Sequence, residues 1–298
     1  MKNKINTVLF SGIAFSLTVL TGCSKDSNKD KEPEAPVNPI EEAFPNEVKP
    51  AISAKCFAGA YYRKAVSSKD LWLGIGGKVK LPLITFDPAR VNPAKPQQYL
   101  DNPSVYLGGN ANGQETDIGL TWEVIRDENG VVSADRRAFR PFMRRTAYSA
   151  TGQTSNYANA PAEARYYWYQ GDEVNISVEV VRDGWVKFVV EGEGKKFETE
   201  YQCDGYKHNS RMEFKRVNAI DQVANEGKPA QATATRVENS IWYESYLFRN
   251  YNGQLVQAPM HPGRFTDMRC PDVKYFTIET SETSLKKGGE AITIDGGK

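Results

Sequence analysis

Glu115 and Asp117 are the carboxylates whose spacing could do chemistry. They lie in Gln114–Arg126, where Ile118, Leu120, Trp122 and Val124 alternate with Glu115, Asp117, Gly119, Thr121 and Glu123. Two positions apart on one strand face puts their Cα atoms roughly 6.6–6.8 Å apart. Glycosidase carboxyl pairs stand roughly 5–9.5 Å apart, so the two are candidate catalytic residues. Glu123 shares the face, but eight residues on it is roughly 27 Å away along the strand.

Aromatic side chains are the second candidate set. Tyr166-Tyr167-Trp168-Tyr169 puts rings on both faces of an extended segment, and Trp185 shares a strand face with Glu179 and Lys187. A ring offers a flat apolar surface with a polar handle, which suits the apolar face of a sugar. Tyr167, Trp168, Tyr169 and Trp185 are therefore the candidate ligand-binding residues. The alternative role for each ring is to cover or fill the sheet.

Other chemistries are poorly represented. There is no GxSxG elbow, no GxxxxGK[ST] loop and no DxDxDG calcium loop. Gly74-Ile75-Gly76-Gly77 has no helical pattern after it and is expected to be a turn. With only His208 and His261, and no two cysteines close in sequence, a zinc site is not expected. No cofactor is expected either, although the acidic stretch Asp221–Glu226 could take calcium. A formal charge of +1 argues against nucleic acid, which needs a basic surface. The local basic run Arg136, Arg137, Arg140, Arg144 and Arg145 is expected to be solvated strand and loop.

Strands must position these residues. Period-2 alternation broken by Gly, Asn, Asp and Pro recurs along the chain, with no convincing 3.6-residue period. The clearest hairpin joins Val174–Val181 to Trp185–Glu191. A three-residue Arg182-Asp183-Gly184 loop, with Gly184 left-handed, pairs Val180 with Val186, Val178 with Phe188 and Ile176 with Val190. It also sets Glu179 opposite Lys187. Further strands are expected at 71–75, 83–86, 104–108, 139–143, 164–169, 196–202, 213–217, 236–248 and 274–280. One short helical turn is expected at Val217–Val223. A dozen or so strands imply an all-β fold, a two-sheet antiparallel β-sandwich with little helix.

The chain opens with Lys2 and Lys4, then an apolar run from Ile5 to Leu20 ending at Leu20-Thr21-Gly22-Cys23. That end resembles the lipobox of bacterial lipoproteins. The resemblance implies cleavage before Cys23, lipidation of Cys23, and acylation (typically palmitate) of the new amino group. Losing Lys2 and Lys4 turns the formal charge to −1. More than one acyl chain gives stable membrane attachment. Ser24 to about Pro50 is charged, then proline-rich, and is expected to be a disordered tether. Its composition resembles tethers of surface-exposed lipoproteins in the Bacteroides group, which implies a cell-envelope location, lipid-anchored in the outer membrane and exposed at the cell surface. A single domain is expected at 51–285, with a flexible tail at 286–298. Among Cys56, Cys203 and Cys270 one disulfide can form, in any of three pairings.

The lipobox, the alternating strands, the Glu115–Val124 face and the Tyr-Trp-rich strand resemble concanavalin-A-like jelly-roll modules over about residues 51–285. Glu115-Thr116-Asp117 resembles the start of the ExDxxE signature of laminarinase-like glycosidases. Leu120 stands where that signature has its second glutamate, so the acid/base residue is missing. The resemblance implies a sheet able to take an extended glycan without catalysis. The expected partners are thus the membrane, through the anchor, and a glycan. The alternatives are a glycoside hydrolase using Glu115 and Asp117, and a structural or adhesive protein that binds other envelope proteins.

Overall fold

Alternating strands leave every second side chain on each sheet face, so a chain of this pattern buries its apolar positions by stacking two sheets. The computed structural model describes residues 38–49, 56–95, 98–126 and 132–298, with only the backbone at 124–126 and 132–137. Cys23, the export signal and the first part of the expected tether lie outside the described residues. Residues 38–298 fall in one compact unit.

In chain order the first strands are β1 (Ala60–Ser67), β2 (Trp72–Lys80), β3 (Leu83–Thr85), β4 (Asp101–Ala111) and β5 (Gln114–Arg126). Then come β6 (Val132–Arg145), β7 (Asn156–Asn159), β8 (Glu173–Arg182), β9 (Trp185–Gly192) and β10 (Lys195–Gln202). The last are β11 (Glu213–Gln222), β12 (Arg236–Tyr251), β13 (Gln254–Pro259), β14 (Phe265–Cys270), β15 (Phe276–Glu279) and β16 (Glu290–Asp295). One five-residue helix, α1 (Glu282–Lys286), is capped by the Ser281 hydroxyl, which accepts from the Ser284 amide.

The strands form two antiparallel sheets. One has seven strands in the order β14-β1-β11-β4-β5-β6-β7. The other has nine, with β10-β9-β8-β2-β12-β16-β15 in line and β13 and β3 both on β12. The result is the expected two-sheet β-sandwich of jelly-roll type. Its core holds Trp72, Ile75, Ile118, Leu120, Phe139, Ile176, Val178, Phe188 and Trp242. The β8–β9 hairpin has the expected register: Ile176 opposite Val190, Val178 opposite Phe188, Glu179 opposite Lys187 and Val180 opposite Val186. Gly184 has φ +79°, the left-handed conformation that the loop requires.

The space between the sheets also carries charge. Glu290 on β16 takes Arg63 Nη2 at 3.0 Å and is paired with Arg216, so one carboxylate joins β1 and β11 to the facing sheet. Arg216 Nη1 donates to the Gly288 carbonyl at 2.6 Å and to Ser245 Oγ at 3.1 Å. Burial presses the Arg216 guanidinium down to about 10, although Glu290 opposes it.

Several expectations need correction. Val217–Val223 is not helical: β11 runs through it as an inner strand, paired to β1 on one side and β4 on the other. Two ladders of hydrogen bonds outweigh any local helical preference. The segment 164–169 is not a strand; Ala164–Tyr166 is a 3-10 turn and Trp168 makes a single bridge to Phe139. The tail is not free after residue 285. β16 pairs with β12 and β15, and Ile292 and Ile294 are buried. Nor is the expected tether free up to Pro50. Phe44, only 3% exposed, packs edge-on to Trp72. Arg264, fully buried, donates to the carbonyls of Pro39, Ile40 and Glu42 and pairs with Glu47 at 2.7 Å. The polar composition of this stretch concealed one aromatic anchor and a set of backbone acceptors.

Of the three pairings open to the cysteines, the one formed is Cys56–Cys270, leaving Cys203 buried and free. Among the described residues no helix is long and apolar enough to cross a membrane.

Candidate functional site

β5 presents its residues as its alternation requires. Ile118, Leu120 and Trp122 enter the core, while Glu115, Asp117, Gly119, Thr121 and Glu123 point to the outer face of the seven-stranded sheet. Strand pairing then fixes which residues stand side by side. One row across the face reads Lys215, Gly108, Asp117, Arg144, Tyr157. The next reads Lys64, Val217, Tyr106, Gly119, Phe142, Asn159.

A glycine in each row lets a long side chain cross a strand. Lys215 on β11 passes over Gly108 on β4 to reach Asp117 on β5, with Nζ 2.6 Å from Oδ1. A Cβ on Gly108 would lie 3.2 Å from Lys215 Cε and 2.0 Å from the Thr116 carbonyl oxygen. In the second row Tyr106 leans over Gly119 to meet Phe142 edge-on, ring centres 5.8 Å apart. A Cβ on Gly119 would lie 2.5 Å from that of Tyr106. Glycine in a strand interior often marks such a close approach.

The charges are mostly matched in place. Lys215 Nζ is also 2.5 Å from Glu115 Oε1, and Arg144 Nη1 is 2.7 Å from Asp117 Oδ2. Arg140 donates to Glu123 at 2.8 Å. Burial alone would raise the Asp117 carboxyl, but Lys215 and Arg144 outweigh it and hold it below its ordinary range. Asp221, at the end of β11, makes no ion pair among the described residues; burial pushes it up to about 6, against a hydrogen bond from Ser104 Oγ at 2.7 Å and the weaker pull of Arg144. Of the basic run, Arg145 donates to the carbonyls of Thr154 and Gln202, so it, like Arg140 and Arg144, is tied into the fold; the side chains of Arg136 and Arg137 lie outside the described residues.

The floor of the face is apolar and recessed. Tyr62, Tyr106, Phe142, Val217 and Met268 form a cluster, all buried. Two exposed rings lie on it. Phe57, 48% exposed, stacks on Tyr62 with centres 4.4 Å apart and planes at 13°. Tyr157, 55% exposed, stacks on Phe142 with centres 5.9 Å apart and planes at 21°. Beside Tyr157 opens a cavity of about 180 Å³ lined by Phe86, Tyr99, Asn102, Thr121, Glu123 and Asn159, among others. Phe86 and Tyr99 are themselves stacked, 4.2 Å apart and nearly parallel.

The structure brings Glu115 and Asp117 together, but not the four aromatic candidates. Trp168 is fully buried, its indole donating to the Gly192 carbonyl at 3.1 Å, and Tyr167 is 2% exposed. Both fill the protein rather than face solvent. Tyr169 is exposed, with Lys195 Nζ 5.0 Å from its ring centre. Trp185 sits at the β8–β9 turn on the other sheet, under the Arg182 guanidinium. The rings that do share a face, Phe57, Tyr62, Tyr106, Phe142 and Tyr157, carry no local sequence signal as a group. Gly108 and Gly119 were the signal available. Among the described residues no group of three His, Cys, Asp or Glu is placed to hold a metal ion.

No protein-family model matches the chain, and no curated protein matches it in sequence. Distant likenesses appear among solved structures. A scytalido-glutamic peptidase with a transition state analog inhibitor is 9% identical, with a TM-score of 0.47 over 79% of this chain and 98% of that one. An alginate lyase from Klebsiella pneumoniae is 10% identical, with a TM-score of 0.36 over 62% and 59%. A beta-porphyranase from the gut bacterium Bacteroides plebeius is 13% identical, with a TM-score of 0.17 over 55% and 53%. At these values the likenesses carry no inference on substrate or reaction.

Proposed function

We propose that the outer face of the seven-stranded sheet binds a carbohydrate chain, and that Cys23 anchors the protein by lipid to the outer membrane, facing the cell exterior. One observation carries the binding role. Phe57 and Tyr157 are exposed rings, each stacked on a buried ring of the same face. They flank a recessed floor from β1 to β7, five strand spacings or roughly 24 Å, enough for several sugar units. Held rings lose little freedom on binding, which favours affinity. Asn102, Thr121 and Asn159 at the adjoining cavity supply hydrogen-bonding groups for hydroxyls.

Lys215 favours binding over hydrolysis by Glu115 and Asp117. A hydrolase of this kind needs one carboxyl raised so that it can donate a proton. Here Lys215 bridges both, and Asp117 is lowered.

A glycan-array screen of the lipid-free chain tests the proposal, with reducing-end assays on each hit. Binding without turnover, lost in Tyr157→Ala and kept in Trp185→Ala, is expected. Silence across the array, or turnover lost in Glu115→Gln, overturns it. For the anchor, radiolabelled palmitate should enter the chain and be absent from Cys23→Ala.

A further inference from the structure

We propose that the sugar resting on Phe57 carries a carboxylate, and that Lys64 is the counter-ion for it. This rests on the glycan-binding role above and names the class of sugar: a uronate.

Among the described residues, Lys64 is the unmatched cation of the face. Lys215 has Glu115 and Asp117, Arg144 has Asp117, and Arg140 has Glu123. Among the described residues no carboxylate lies within 4.0 Å of Lys64 Nζ, and Lys64 is partly buried. Its nearest ring contact is Tyr62, with Nζ 5.9 Å from the centroid. Burial, then the like charge of Lys215, presses its ammonium below the ordinary range. Glu115, Asp117 and Glu213 attract it from farther off without pairing. A half-desolvated ammonium without a partner is a cost that a bound anion relieves.

Position suits a uronate. Phe57 stacks on Tyr62, and Lys64 follows Tyr62 on the same face of β1. A uronate carboxyl is one bond from its ring, so stacking the ring also fixes the carboxylate. A sulfate ester carries the same charge on a swinging linkage and is fixed less well. One spare cation also matches one negative charge per bound unit, rather than the basic cluster that a phosphate group favours.

The full chain in mild detergent is titrated calorimetrically with a panel of polyuronates, each paired with its carboxyl-reduced form, and with a sulfated neutral polymer. At least one polyuronate is expected to bind about tenfold or more tighter than its reduced form, the scale of one charge-assisted hydrogen bond. Lys64→Met should abolish that difference and leave the reduced polymer's affinity unchanged. Lys64→Arg should retain it, which guards against a Met variant that folds poorly. Equal binding of both forms, an unaltered preference in Lys64→Met, or preference for the sulfated polymer overturns the inference while the glycan platform stands. No binding to any polymer overturns both.

Discussion

Lys215 Nζ lies 2.6 Å from Asp117 Oδ1 although a whole strand separates the residues that bear them. Gly108 on that strand makes the crossing possible. The bridge ties β11, β4 and β5 together above the sheet, independently of the backbone ladders. Because Lys215 and Asp117 are both largely buried, removing either leaves a poorly solvated charge behind. Lys215→Met is expected to cost about 3 kcal/mol in urea unfolding. Adding Asp117→Asn should recover part of that loss, so the double variant falls short of the sum of the singles. Additive losses would show that the pair does not act as a unit.

Asp221 predicts a different pH response. Its carboxyl is raised to about 6 in the folded protein, against 3.8 ordinarily. The folded state therefore holds this proton more tightly, and the favourable contribution is complete below pH 3.8. It fades as pH rises through about 6, leaving a half-buried charge at neutrality. Asp221→Asn should raise Tm at pH 7.5 and leave it nearly unchanged at pH 4. Equal shifts at both pH values would contradict the assignment.

At the inter-sheet seam the sign reverses. Glu290 would be raised by burial, but Arg216 and Arg63 hold it below its ordinary range. Its contribution is present above the ordinary carboxylate pKa and is lost as pH falls through the depressed value. Glu290→Ala strands the Arg216 guanidinium and leaves Arg63 with Asp267 alone, 3.0 Å away, and should cost about 3–5 kcal/mol by denaturant titration. Ending the chain after Lys286 removes β16 altogether and should prevent cooperative unfolding from being seen at all.

Reduction offers a fourth measurement. Cys56 and Cys270 are 214 positions apart, so the bond closes most of the body into one loop. Loop-closure entropy predicts a loss on the order of 5 kcal/mol when it is reduced. The Cys56→Ser and Cys270→Ser double variant should melt like the reduced protein. Cys203, buried and pushed up to about 12 mainly by burial, should resist alkylation until the protein unfolds.

Local patterning made the sandwich legible. The β8–β9 register followed from matching Val178 to Phe188, and the β5 face from simple alternation. The site was less legible, because its neighbours come from β1, β4, β6, β7 and β11, and no spacing in the chain encodes which strands adjoin. Trp168 shows the limit most plainly: a cluster of aromatic residues signals burial as readily as recognition. Val217–Val223 misled for the opposite reason, since an inner strand buried on both faces loses its alternation.

The clasp of Arg264 on residues 39–47 sets where a pull on the N-terminal side would be felt. Any tension arriving from upstream of Asn38 meets the guanidinium, its backbone carbonyl acceptors and the Phe44 ring before it reaches β1. The load is thus borne at the Trp72 end of the sandwich, where a buried side chain holds several points of the chain at once. Under the anchoring proposed through Cys23, that clasp would take the pull before any strand of the two sheets does.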